Sequence, residues 1–470
     1  MRLYNVYFSL VISLPVMALP IPDSHQVDQS SQQDVAVTVY NNNYGLIREV
    51  RSVKLPMGEI ELEFRDVAEQ IDPTSVAFRS LTAAGKLQIL EQNYRYDLLN
   101  RNTLLNRYLG KELTFIRYPA DGQDREERIG TLMSNAGDVI VRFDQQIEIN
   151  PQGTIALTEL PEDLLARPTL VWLLDNQHRG QQKVETSYLT NGMSWHADYV
   201  AILDKDDAGL DLTAWVTLEN RSGASYRNAI LKVVAGDVKR VQVARAPAMQ
   251  EMQMSMARAD ARGMQEESFF EYHLYSLGRR TDLANNETKQ ISLLSRDDVS
   301  VSKRLSVESM SQVYGFDRSE TKSNAKVTLR LENSEENGLG MALPGGRVRV
   351  YKADSSGTLQ LIGEERIKHT ARDERLDLTM GQSFDVVAER KQTAFRKRGE
   401  RASEVSYSVD VRNHKDVVQE VTLIEHISGD WIITQESQPH SKVDARTIEY
   451  QVRVPARGSS NVSYTARINW

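Results

Sequence analysis

Alternation of apolar and polar residues constrains this chain more than any other feature, because it recurs from near residue 34 to the end. The stretches WVTLEN (215–220), LRLEN (329–333) and VDVRN (409–413) each alternate and then end on an asparagine. A second alternating stretch follows each of them. Period-two alternation is typical of a β-strand with one buried face. The sequence therefore predicts an all-β fold.

The asparagine marks the end of the first strand in each copy of this repeated pattern. Asparagine tolerates left-handed backbone and hydrogen-bonds its own turn, so each one is predicted to end a strand and start the connection to its partner strand. Such strand pairs build immunoglobulin-like β-sandwiches. We therefore predict tandem sandwiches over residues 166–300, 301–395 and 396–470. The alternative is that a β-rich chain repeats such short phrases by chance.

The region before the sandwiches has a different character. Alternation over 34–95 predicts a small N-terminal β unit. Residues 96–111 carry leucines at helical spacing, with Gly110 near the end, and predict one short helix. Short strands and tight turns follow. Residues 96–165 are therefore predicted to form the helix plus a small SH3-like or OB-like barrel.

The first eighteen residues have the pattern of a targeting segment. Arg2 precedes an apolar run from Val6 to Val16, and Val16-Met17-Ala18 has the small-residue pattern of a cleavage site. This predicts a signal peptide over residues 1–18 and a location in the periplasm or on the bacterial outer surface. A short membrane anchor is the alternative, but the run is shorter than the roughly 20 apolar residues of a span. No transmembrane helix is predicted after cleavage.

Charge and cysteine content narrow the classes of function. The formal net charge is −8, which disfavours both nucleic acid and an anionic lipid surface as partners. The chain has no cysteine, which excludes disulfides, thiolate metal sites and a cysteine nucleophile. No cofactor is predicted.

Several long stretches resemble a known family. VETSYLTNGMSWHADYVAILD, LTAWVTLENRSGASYRNAILKVVAGDVKRV and FFEYHLYSLGRRTDLANNETKQISLLS are similar to bacterial families catalogued as domain of unknown function 4139. The likeness continues through GGRVRVYKADSSG and WIITQESQPH. Related proteins include those called mucoidy-inhibitor-like, which carry a long coiled coil before the shared domain, where this chain has only the helix at 96–111. The resemblance implies export and β architecture, and it implies no established activity.

One strand carries a candidate ligand-binding site. His196 and Asp198 lie on the same face of a predicted strand, next to Trp195 and Tyr199. Two such residues do not make a metal site, because metals need three or four ligands, and packing is the alternative role for the two aromatics. A loop calcium site at Lys205-Asp206-Asp207 is a further alternative, although the usual loop spacing is absent. No catalytic residue is predicted, since no nucleophile or P-loop motif is present.

Four methionines form a second candidate site. Met249, Met252, Met254 and Met256 lie in a segment, 244–266, that interrupts the alternation and is predicted to be an insertion in the first sandwich. Thioethers are soft ligands that suit Cu(I). The alternative is a methionine-rich surface loop, and the neighbouring arginines favour it because they repel a cation. Selective metal binding is therefore not predicted.

These observations favour an exported, non-catalytic envelope protein that binds a partner or organises the envelope. The partner would be a protein or another envelope component. The alternatives are an envelope hydrolase with loop-borne carboxylates, a periplasmic Cu(I)-handling protein and an outer-membrane barrel. The last alternative rests on the final strand, NVSYTARINW, which alternates and ends on an aromatic residue.

Overall fold

The computed structural model of the protein describes residues 24–95, 100–118, 125–159, 167–236, 238–239, 264–311, 315–317 and 319–469. The predicted signal peptide and the four candidate methionines lie outside these residues. Strands make up 67% of the structure and helix 3%, which confirms the all-β prediction. In the part described, no helix is long and apolar enough to cross a membrane.

The described elements are as follows. The α-helix is α1 (Arg101–Arg107), and two 3-10 helices cover Gln29–Ser31 and Pro73–Ser75. The strands up to residue 235 are β1 (Ser24–Val27), β2 (Gln32–Tyr40), β3 (Tyr44–Leu55), β4 (Gly58–Arg65), β5 (Ala77–Ser80), β6 (Leu87–Arg95), β7 (Glu112–Arg117), β8 (Glu126–Ser134), β9 (Ile140–Phe143), β10 (Gln146–Ile149), β11 (Thr154–Ala156), β12 (Thr169–Asn176), β13 (Gly180–Asn191), β14 (Met193–Leu203), β15 (Gly209–Asn220) and β16 (Tyr226–Ala235). The later strands are β17 (Met264–Phe269), β18 (Tyr272–Leu277), β19 (Thr281–Leu283), β20 (Glu287–Ser300), β21 (Ser302–Met310), β22 (Glu320–Glu332), β23 (Gly346–Ala353), β24 (Leu359–Ile367), β25 (Arg375–Lys397), β26 (Ala402–Asn413), β27 (Gln419–His426), β28 (Asp430–Glu436), β29 (Ser441–Lys442), β30 (Thr447–Val454) and β31 (Ser459–Asn469).

Three sheets enclose the first and larger core. Sheet 1 has the strand order β1-β4-β12-β6, sheet 2 the order β17-β18-β16-β2-β3-β13-β5 with β19 beside β16, and sheet 3 the order β20-β15-β14-β23-β24. Their inward residues form one continuous apolar cluster. Strands β2 and β3, from the predicted N-terminal unit, thus share a sheet with β13 and β16 from the first predicted sandwich. The sheets therefore extend across the predicted boundary between the N-terminal β unit and the first sandwich. This was not predicted, because alternation reveals strands but not their partners.

The parallel pairing of β14 with β23 also links distant parts of the chain. Ala197 lies opposite Gly346 in this ladder, and the register continues to Leu203 opposite Lys352. A strand from the first predicted sandwich is thus hydrogen-bonded to one from the second. This pairing positions the site described below.

A small lobe lies between β6 and β12 in the sequence, although these two strands are neighbours in sheet 1. It consists of α1 and sheet 4, with strand order β10-β9-β8-β7-β11, around a separate apolar cluster. Its edge strands β10 and β11 do not pair with each other in the described ladders, so the predicted small barrel is an open sheet. Helix α1 begins after Asn100, whose side chain caps it reciprocally with Thr103. It is shorter than the predicted 96–111, of which residues 96–99 are not described.

Sheet 5 encloses the second main core, with the order β28-β31-β26-β25-β22-β21-β27-β30-β29. Its strands β22 and β25 are long enough to reach the first core as well. Leu329 and Leu378 belong to the first apolar cluster, whereas Ala325 and Val386 belong to the second. One ladder, bulged near Asn324, therefore runs through both cores.

The predicted insertion at 244–266 ends earlier in the structure. Met264 is the first residue of β17, pairs with Leu277 of β18 and is buried in the first core. This strand was not predicted, because β17 lies at the edge of sheet 2 and most of its side chains are only partly covered. Residues 244–263 lie outside the described part of the chain.

The three repeated asparagines are buried and act alike. The Nδ2 of Asn220 donates to the carbonyl oxygens of Ala224 and Ala284, at 2.8 and 2.9 Å. The corresponding acceptors are Met341 and Ala371 for Asn333, and Val417 and Pro455 for Asn413. The predicted hydrogen bond within the turn is confirmed. The expectation of left-handed backbone at these asparagines is wrong, since none of the three has a positive φ. Each amide instead joins its own turn to a second segment.

Candidate functional site

The period of β14 separates the four candidate residues onto two faces. Trp195 and Tyr199 point into the first core, where the Trp195 indole Nε1 donates to the Val234 oxygen at 3.1 Å and the Tyr199 hydroxyl donates to the Pro344 oxygen at 2.7 Å. Burial raises the pKa of the Tyr199 hydroxyl well above its ordinary value. The packing alternative therefore describes both aromatics, and they do not share a surface with His196 and Asp198.

His196 and Asp198 do come together, on the outer face of sheet 3. The His196 Nε2 lies 3.1 Å from Asp198 Oδ2, and the Thr217 hydroxyl donates to the same oxygen at 2.7 Å. Gln290 Nε2 donates in turn to the Thr217 hydroxyl at 3.1 Å. Asp198 is only 9% exposed, so this carboxylate is held by side chains from neighbouring strands.

Two arginines of β23 approach Asp198 from the other side, because β23 is the parallel neighbour of β14. Arg347 Nε lies 4.0 Å and Arg349 Nη1 lies 3.8 Å from Asp198 Oδ1. Glu364 of β24 accepts a hydrogen bond from Arg349 Nε at 3.0 Å. Arg347 Nε is shielded from solvent and has no hydrogen-bond partner among the described residues.

We call these six residues the polar face; they are His196, Asp198, Thr217, Arg347, Arg349 and Glu364. Trp215 flanks them, since it lies opposite Asp198 in the β14–β15 ladder and is 36% exposed. The polar face thus combines an aromatic side chain, two guanidinium groups and two carboxylates on a sheet surface.

The geometry of the polar face suits recognition better than catalysis. The Thr217 hydroxyl donates to Asp198, so it is not activated by His196 in the way that a nucleophile is activated by its base. The described residues contain no group of three histidines or carboxylates arranged to hold a metal ion. Charged hydrogen-bonding groups on an open sheet surface can bind a complementary surface.

The acidic turn after β14 is occupied by lysines of its own chain. Asp207 accepts hydrogen bonds from Lys303, at 2.5 Å, and from Lys352. Burial raises the pKa of Asp207, but the two ammonium groups outweigh this effect and lower it overall. Two cations of the chain therefore already neutralise this carboxylate, which argues against the calcium interpretation of this turn.

The sequence analysis missed the residues outside β14. The alternation of RVRVY (347–351) indicates a strand with arginines on one face, but nothing local shows that this strand lies beside Asp198. Thr217 belongs to the recognised phrase WVTLEN, where a threonine on a strand is unremarkable on its own.

The comparisons with known proteins cover this part of the chain. A family model described as Domain of unknown function (DUF4139) matches residues 184–470, which is more than half of the chain and includes the whole polar face. The match begins within β13 and leaves out the small lobe. A relation to mucoidy-inhibitor-like proteins is not confirmed. No curated protein matches the chain.

Proposed function

The chain belongs to the family described as Domain of unknown function (DUF4139). We propose that it is an exported, non-catalytic binding protein of the bacterial envelope. Its partner, a protein or another envelope component, binds the polar face. Export is supported by the apolar leader and the small-residue pattern before Leu19.

The arrangement around Asp198 carries the proposal. Arg347 and Arg349 lie at the outer limit of ion-pair distance from this carboxylate, at 4.0 and 3.8 Å, and neither donates a hydrogen bond to it. The Arg347 side chain is 41% exposed, so its guanidinium can contact an acceptor on a partner. Arginine and tryptophan are enriched among residues that dominate binding energy, and Trp215 lies across Asp198 from Arg347.

A hydrolase has less support from the same residues. Glycoside hydrolysis needs two carboxyl groups that face each other across a bound sugar. Asp198 and Glu364 are instead both within ion-pair distance of the same two arginines, on one face of sheet 3.

Site-specific photocrosslinking in cells tests the binding role. A photoreactive residue at Trp215 is expected to give a discrete adduct with an envelope component. The matched control carries the same group at Phe384, an exposed aromatic residue on sheet 5 and outside the polar face. The double change Arg347→Ser and Arg349→Ser should abolish the adduct at 215. The same adduct from position 384, or one that survives the double change, contradicts the proposal.

Fractionation tests the location separately. We expect the mature chain in the periplasm or on the outer surface, beginning at Leu19. Recovery in the cytoplasm with Met1 retained would disprove export while leaving the polar face testable in vitro.

A further inference from the structure

The hairpin between β25 and β26 ends in a cluster of cations. Residues 395–402, here called the basic tip, contain four cations and one acid, in a chain whose formal net charge is −8. The cations are Arg396, Lys397, Arg398 and Arg401. The Arg398 backbone amide donates to the Ala402 oxygen at 2.9 Å, which closes the turn. The basic tip is therefore an ordered, strongly charged end of sheet 5.

Only one of these cations is neutralised. Arg398 makes a two-pronged contact with Glu404, with Nε and Nη2 at 3.2 and 3.0 Å from Oε2, and Glu404 also lies 3.7 Å from Arg467. Arg396, Lys397 and Arg401 are exposed and form no ion pair with any described residue. Three cations without an ion pair to a described residue thus lie at this end of sheet 5, although Glu400 is also in the basic tip and Glu404 lies opposite Arg396 in the ladder.

Exposed apolar side chains lie on neighbouring segments of this part of sheet 5. Ile432 of β28 lies opposite Arg467 in the ladder and is 54% exposed. Phe316 is 49% exposed, and its loop is held to β25 because Gln392 Nε2 donates to the Gly315 oxygen at 3.1 Å. Cations next to exposed aromatic and aliphatic side chains are typical of surfaces that lie at the boundary between water and lipid.

We propose that the basic tip docks onto the anionic surface of a lipid bilayer. This inference goes beyond the proposed function and does not depend on the polar face. Each cation near an anionic bilayer strengthens binding about fivefold, so the three free cations contribute on the order of 100-fold. Repulsion from the acidic remainder is screened over about 8 Å at physiological salt.

A polynucleotide fits the basic tip less well. Proteins that bind duplex DNA tightly make about 6–10 phosphate contacts, whereas this tip offers three free cations. A lipid surface presents a continuous sheet of headgroups and can also accept Ile432 and Phe316.

Vesicle binding by the full chain tests the proposal. The test variant is Arg396→Ser, Lys397→Ser and Arg401→Ser. The matched control is Lys86→Ser, Arg279→Ser and Lys368→Ser, which removes the same charge at exposed positions elsewhere. Vesicles of phosphatidylglycerol and phosphatidylcholine are compared with pure phosphatidylcholine, which corrects for any contribution of the apolar leader. Thermal unfolding checks that all variants are folded.

We expect the tip variant to bind anionic vesicles on the order of 100-fold more weakly than the wild type. The control variant should stay within about threefold, and about 0.5 M salt should abolish wild-type binding. Unchanged binding by the tip variant, an equal loss in the control, or salt-resistant binding would overturn the proposal. So would tip-dependent binding to a 30-base-pair duplex that is tighter than to vesicles, or displacement from vesicles by 10 mM inorganic phosphate at constant ionic strength.

Discussion

At the scale of the residue, each main core buries one arginine and one glutamate together. In the first core, Arg51 donates to Glu49 Oε2 through Nε and Nη2, at 3.1 and 2.7 Å, and its guanidinium stacks 3.6 Å from the Phe64 ring centre. Tyr188 donates to the other oxygen of Glu49 at 3.1 Å. Buried charges survive only when they are paired and hydrogen-bonded in this way.

The second core repeats the arrangement with different strands. Arg390 donates to both oxygens of Glu425, at 3.0 and 2.9 Å, and stacks 3.6 Å from the Tyr407 ring centre. Tyr464 donates to Glu425 at 2.8 Å. Neither pair could be predicted from the sequence, because a charged residue on a strand is ordinarily placed on the exposed face.

Removal of one partner of the Arg51–Glu49 pair should be costly, because it leaves the other partner buried alone. Arg51→Met leaves the Glu49 carboxylate buried without its countercharge, and we expect the free energy of unfolding to fall by about 3–5 kcal/mol. The double variant Arg51→Met and Glu49→Gln should lose less than the sum of the single changes. The control, Arg372→Met, breaks an ion pair with Glu335 in which both side chains are exposed, and it should cost about 1 kcal/mol or less. Urea unfolding measures all four variants, and equal losses for Arg51→Met and Arg372→Met would contradict this account.

The buried asparagines should matter through their amides. Asn413→Ala removes hydrogen bonds to the Val417 and Pro455 oxygens and the one that Lys415 N donates to Oδ1. Because an unsatisfied buried polar group costs about 1–3 kcal/mol, we expect a loss of at least 2 kcal/mol. Asn461→Ala removes an exposed hydrogen bond to Ser408 and serves as the control, with a loss of at most about 0.5 kcal/mol. Thermal denaturation distinguishes the two, and a mild effect at 413 would refute the role of this amide.

Buried tyrosines limit the stability of the folded protein at high pH. Burial raises the pKa of Tyr188 and Tyr464 well above 10 in the folded protein, whereas these hydroxyls ionise near pH 10 when unfolded. Their contribution to stability is thus fully present below about pH 10 and is lost as the pH rises above it. Tyrosinate absorbance should therefore appear in two phases, with the buried group ionising only together with unfolding. A single phase near pH 10 with the fold intact would contradict this expectation.

At the scale of the element, the strands could largely be predicted and their partners could not. The alternation of WHADYVAIL correctly places Trp195 and Tyr199 opposite His196 and Asp198. It does not reveal Arg347, because parallel pairing joins strands that are far apart in sequence. The edge strand β17 was missed because a half-covered edge needs no apolar alternation. Ladder partners depend on packing of the whole core, which no local pattern encodes.

The β14–β23 ladder depends on a residue without a side chain. A Cβ on Gly346 would lie 2.8 Å from the Ala197 carbonyl carbon and closer still to its oxygen. We expect Gly346→Ala to cost at least 2 kcal/mol, because backbone must move, and to weaken binding at the polar face. Gly399→Ala is the control, since only the Ala402 side chain comes near, at 3.9 Å. Denaturation together with the crosslinking yield at 215 checks both effects, and matching stabilities for the two variants would rule out the close approach.

At the scale of the whole molecule, the apolar clusters predict how the protein unfolds. The two main cores share β22 and β25, whereas the small lobe has a cluster of its own. The sequence predicted successive units, and the shared strands could not be foreseen because a long alternating stretch does not show which core each half enters.

We therefore expect two calorimetric transitions, one for the small lobe and one for both main cores together. Leu132→Ala, in sheet 4, should lower the free energy of unfolding of the small lobe alone. Leu329→Ala should lower that of the two main cores alone. Each loss should be about 2–5 kcal/mol, because both leucines are buried. Hydrogen exchange assigns the transitions. Separate melting of β26–β31 with the first core intact would contradict the shared-strand account.

The length of strand β25 has a further consequence. Its 23 residues start beside the first core and end in the basic tip. At about 3.3 Å per residue, this strand spans on the order of 70 Å. With the basic tip bound to a bilayer, the first core would lie at a fixed distance from the lipid, because a rigid strand and not a flexible linker connects them. A partner would then be captured only in a layer at that distance, so that the geometry of one strand selects which components of the envelope come within reach.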